Sequence, residues 1–96
     1  DHIELPNNPS DLTLSADGDT LYITAGVAEG MVYVVDTTTR QLTKTIAVGH
    51  SPRSPVLASG NRLYVCEQFN NAVSVVDLST AWSLQFRFYV SRSARR

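Results

Sequence analysis

Val32-Tyr33-Val34-Val35-Asp36-Thr37-Thr38-Thr39 returns, forty-one residues on, as Val73-Ser74-Val75-Val76-Asp77-Leu78-Ser79-Thr80. Upstream of it, Leu21-Tyr22-Ile23-Thr24 returns as Leu63-Tyr64-Val65-Cys66, forty-two residues on, and Pro9 returns as Pro52, forty-three residues on. A repeat near forty residues, rich in short β-patterned runs, marks propeller blades. Repeats of this kind cannot each bury a hydrophobic face alone, so the repeat points to an all-β stack of two four-stranded antiparallel meanders.

The shrinking offset locates the lost residues. One loss lies where Ala16-Asp17-Gly18 faces Ser59-Gly60, and the other where Ala25 to Met31 faces Glu67 to Ala72. Both are turns, so strands keep their phase while connections shorten. Ile3-Glu4-Leu5-Pro6-Asn7-Asn8-Pro9 also matches Ile46-Ala47-Val48-Gly49-His50-Ser51-Pro52. Residues 1–8 therefore read as the end of a preceding blade and an entry loop, 9–51 as a first blade, 52–90 as a second whose last strand diverges from 81, and 91–96 as a basic tail.

Within the first blade, Leu12, Leu14 and Ala16 alternate with polar residues up to Asp17-Gly18, a hairpin signal that leads into Thr20 to Thr24. Met31 to Asp36 is a third β-rich run, and Leu42, Ile46 and Val48 mark a fourth before Gly49. We denote these strand positions a to d. The second blade repeats them at Val56 to Ala58, Arg62 to Cys66 and Ala72 to Asp77, with Pro52 and Pro55 at the entry. Its last strand is written differently. Trp82, Leu84, Phe86, Phe88 and Val90 alternate with smaller or polar residues, a two-residue period that reads as strand d. Sequence foreign to the repeat from Ala81 onward is the competing reading.

Ninety-six residues with a net charge of −1 and a pI near 6.1 give no general attraction to nucleic acid or anionic membranes. Arg87, Arg92, Arg95 and Arg96 supply half of the eight Lys and Arg residues, a pattern expected of a solvated end. Cys66 is the single cysteine, which excludes an internal disulfide and suggests a small strand-packing residue. No apolar run approaches the ~18 residues that span a bilayer, and no charged-then-apolar leader follows Asp1; a leader already removed is compatible with this.

Leu21-Tyr22-Ile23-Thr24 and Leu63-Tyr64-Val65-Cys66 resemble the Leu-Tyr-Val-Thr-Asn signature of the YVTN β-propeller repeat family. Its Ser-Pro-Asp-Gly is matched by Ser15-Ala16-Asp17-Gly18, and its Val-Ser-Val-Ile-Asp by Val73-Ser74-Val75-Val76-Asp77. Its Ile-x-Val-Gly-x-x-Pro exit is matched by Ile46 to Pro52. The likeness spans residues 3–80. The signature's closing Asn is replaced by Ala25 and Glu67. The resemblance implies a periplasmic, secreted or cell-surface setting. It admits surface-layer scaffolds, lactonase-like enzymes and propeller subunits of redox enzymes carrying haem or quinone.

His2 and His50 are the only histidines, so no metal set, Ser-His-acid triad or Cys-x-x-Cys-His haem attachment is spelled out. No catalytic residue, metal or cofactor is assigned. Asp36 and Asp77, at equivalent turns, are expected to bond their own backbone, and Tyr22 and Tyr64 to pack with a polar tip. Binding residues, if a ligand is held, are expected where the d-to-a and b-to-c loops share one face: Asn7, Asn8, Asp11, His50, Arg53, Glu67 and Asn70. The reading is a non-catalytic propeller scaffold for an unidentified protein or small-molecule ligand; the alternative is part of a propeller enzyme whose site needs further blades. Self-association through blade faces is expected, with Val32, Val34, Val73, Val75 and Leu84 on the uncovered outer sides.

Overall fold

In this computed structural model, residues 2–68, 72–79 and 82–86 are described. Eight strands run in chain order: β1 Pro9–Leu14, β2 Thr20–Ala25, β3 Gly30–Asp36, β4 Gln41–Val48, β5 Pro52–Ala58, β6 Arg62–Glu67, β7 Ala72–Asp77 and β8 Trp82–Phe86. They form two four-stranded antiparallel meanders, β1-β2-β3-β4 and β5-β6-β7-β8, which we call blades 1 and 2. Both are propeller blades: β1 lies beside β5 at the inner edge, and β4 beside β8 at the outer edge.

Turn chemistry fixes the registers. Asp17 Oδ1 accepts from the Asp19 amide at 2.9 Å and from the Ser15 hydroxyl at 2.6 Å, and Gly18 takes φ +79°. The equivalent Gly60 takes φ +78°, followed by Asn61 at +57°. Both turns thus use the left-handed region where glycine and asparagine are tolerated. The two blades also repeat one tie: Thr37 N donates to Asp19 O at 3.0 Å, and its equivalent Leu78 N donates to Asn61 O at 2.8 Å. Asp36 Oδ1 accepts from the amides of Thr38 and Thr39 at 2.8 and 3.2 Å, and Asp77 Oδ1 from the Ser79 amide at 3.0 Å. The repeated acids are turn formers, as expected.

The fifth strand starts earlier than its apolar core suggests. β5 begins at Pro52, and its pairing with β6 breaks between Arg53 and Val56, so Pro55 falls in a bulge where no ladder donor is required. β1 carries a matching break between Pro9 and Asp11.

Alternation gives each blade two apolar faces. The front face of blade 1 carries Val32, Val34, Ile46 and Val48, which pack with Leu63, Val65 and Val76 from the back face of blade 2. Val32 and Val34 are therefore in the joint between the blades, not on an outer side as the sequence was read. Alternation shows that a strand has two faces but not which one meets the next blade. Burying each such valine contributes about 1.5–3 kcal/mol. The back face of blade 1 holds a second cluster, Ile23, Ala25, Tyr33 and Val35, against which Ile3 and Leu5 pack as a strap. Cys66 is in β6 but exposed, because it stands out of phase with buried Val65.

Candidate functional site

The d-to-a and b-to-c loops meet in one continuous rim. Gly26 N reaches the Asn8 carbonyl at 3.5 Å, Ser51 N donates to Val27 O at 2.8 Å, and Gln68 N donates to Ser51 O at 3.1 Å. The shared loop face read from the repeat is present. Between the blades this rim encloses an open cleft of about 310 Å³ lined by Asn8, Ser10, Val27, Ser51, Pro52 and Arg53.

Beneath the rim the inner strands are laced together. The Ser10 hydroxyl donates to the Pro52 carbonyl at 2.7 Å and lies 2.8 Å from the Thr24 hydroxyl. Asp11 bridges the blades, Oδ2 accepting from the Ser54 amide at 3.0 Å while Oδ1 takes its neighbour Leu12 N at 3.1 Å. Ser51 and Ser54 adopt φ of 45° and 52°, a strained choice for serine that the surrounding bonds hold in place.

Of the seven sequence-derived candidates, the structure brings Asn8 and Arg53 into the cleft, and leaves Asp11 just below it. Asn7 is exposed and donates from Nδ2 to the Tyr33 hydroxyl at 3.0 Å. His50 is exposed on the same loop as Ser51. Asn70 lies outside the described residues. Glu67, expected in a loop, instead closes β6 and is 4% exposed inside the joint. Its carboxyl accepts from the Ser74 hydroxyl, which in turn accepts from Gly49 N at 3.5 Å. The phase of Leu63, Val65 and Glu67 could have revealed this, since all three stand on one face of the strand.

A second cleft, of about 260 Å³, opens at the other end of the joint near Tyr22, Asp36, Thr43 and Lys44. The sequence reading missed it, because Lys44 carries no motif. Tyr22 ionises above its ordinary value of 10.0, held neutral first by burial and then by the nearby Asp17 charge. Among the described residues no group of three or more His, Cys, Asp or Glu side chains could hold a metal ion, and no helix is long and apolar enough to cross a membrane. Chemically, the first cleft offers an arginine cation, an amide and a hydroxyl in the open, which suits hydrogen bonding and charge pairing with a polar ligand.

No protein-family model and no curated protein matches the chain. Among solved structures it is similar to Kuenenia stuttgartiensis hydrazine synthase, with a TM-score of 0.70 and 31% identity over 88% of this chain. The chain spans 24% of the length of that protein.

Proposed function

We propose that the chain is a blade pair of a YVTN-like propeller serving as a non-catalytic scaffold in a periplasmic, secreted or cell-surface setting. Its ligand surface is the rim cleft at Asn8 and Arg53. The observation that carries this reading is where the polar groups beneath the rim are committed. Ser10 and Asp11 join blade 1 to blade 2 through Pro52 and Ser54, so their hydrogen-bonding capacity serves architecture.

The second reading is a segment of a propeller enzyme of redox or lactonase type, completed by further blades. It is favoured by the 31% identity to a synthase of which this chain would correspond to 24%. One preparation puts the scaffold reading at risk. Purified chain is scanned for visible absorbance after incubation with haemin and assayed for hydrolysis of a γ-lactone. We expect a spectrum equal to that of free haemin and hydrolysis at the buffer rate; a shifted Soret band or saturable turnover would overturn the scaffold reading.

A further inference from the structure

Each outer face of the blade pair is the repeat copy of a face that is buried in the middle. On the front of blade 2, Tyr64, Val73 and Val75 are the counterparts of Tyr22, Val32 and Val34, which blade 2 covers on the front of blade 1. On the back of blade 1, Leu21, Ile23 and Val35 are the counterparts of Leu63, Val65 and Val76, each of which is 0% exposed where blade 1 covers it. The chain therefore carries both halves of its own internal joint a second time, the back half covered at Ile23 and Val35 by the strap and uncovered along β1.

Exposure marks the same two faces. Leu14 pairs with Leu21 and is 51% exposed on the back of blade 1; Val56 pairs with Tyr64 and is 58% exposed on the front of blade 2. Beside Leu21 and Ile23 an apolar hollow of about 340 Å³ opens next to the strap residues Ile3 and Leu5. Those two are the counterparts of Ile46 and Val48, which pack against the back of blade 2. The strap thus already holds the outermost place of a neighbouring blade, and the inner edge at Leu12 and Leu14, 58% and 51% exposed, is open.

We propose that a second copy of this chain docks head to tail on the first, the front of its blade 2 seated on the back of blade 1. The contact follows the inner part of the internal joint: β5 and β6 of the docking copy cover Leu12, Leu14 and Leu21, the part of that face which the strap leaves open. Such an interface is heterologous, so one contact leaves one free face of each kind and growth continues until the ring closes. The inference holds whether the assembled ring binds or catalyses.

Light scattering on this 96-residue chain at micromolar concentration should give a mass of three or more 10.5 kDa chains. Leu14→Lys and Val56→Lys each place a charge on an already exposed position, so circular dichroism should match the parent while each variant alone becomes monomeric. Mixed in equal amounts, the two variants should form a species of two chains, because each keeps the face that the other lost. Cys66 supplies a second reading: it stands where Thr24 is 0% exposed on the front of blade 1. Its labelling by a thiol reagent should therefore be lost as parent concentration rises, and should persist in Val56→Lys. A monomeric parent, a folded variant that still assembles alone, a monomeric mixture, or labelling independent of concentration would each overturn the proposal.

Discussion

Glycine at position 18 is required by its backbone alone. No atom lies within 4 Å of where a Cβ would stand, yet φ is +79°. Gly18→Val should therefore lower stability by about 1 kcal/mol or more through conformation rather than collision. A thermal melt unchanged from the parent would contradict this. Its neighbour Asp17 carries a pH signature. The Ser15 hydroxyl first, and the Asp19 amide second, hold its carboxyl below the ordinary value of 3.8. A depressed carboxylate contributes stability that is present above the unfolded value and is lost as pH falls through the folded one. Asp17→Asn should thus melt below the parent at neutral pH, and the gap should close as pH drops beneath 3.8. A gap that is constant across that range would count against the hydrogen bonds as its source.

Between elements, the joint carries the polar set of Glu67, Ser74 and the Gly49 amide beside its apolar cluster. Ser74→Ala withdraws a hydroxyl from the buried Glu67 carboxyl and should cost about 1–3 kcal/mol. Gly30→Ala should cost about 1–3 kcal/mol through overpacking, because a Cβ there would stand 1.9 Å from the Gly49 carbonyl and 2.7 Å from the Pro52 ring. Urea unfolding midpoints test both. The strands themselves were legible, since the offsets from Pro9, Leu21 and Val32 placed both meanders and the Asp36 and Asp77 turns. Stacking was not. Sequence gives a strand two faces, but the twist that turns Val34 toward Leu63 belongs to the assembled sheets. For the candidate site, loop convergence was readable from repeat position, whereas Glu67 was mistaken for a loop residue because a carboxyl in phase with Leu63 and Val65 goes against ordinary burial preference.

At the scale of the molecule the two blades share the cluster that runs from Val32 to Val76, so neither keeps that cluster without the other. They should unfold as one unit. Amides of β3 and β6 should exchange with the same free energy of opening, and Val65→Ala should lower protection in both sheets by about 2 kcal/mol. Protection that falls only in blade 2 would show that the blades are independent. The rim cleft, spanning the joint, should loosen with it.

The contact between Gly49 and Glu67 has an evolutionary consequence. A Cβ at position 49 would stand 1.9 Å from the Glu67 carboxyl, and the position 49 amide is a donor to Ser74. In the preceding repeat unit the same three places are Pro6, Ala25 and Tyr33: a residue without an amide hydrogen, a methyl, and a ring. The Gly49 triplet does not tolerate the other's proline alone, since proline would strike Glu67 and leave Ser74 without that donor. Positions 49, 67 and 74 are epistatic, so gene conversion that brings proline to position 49 should be tolerated only when its tract also replaces Glu67 and Ser74.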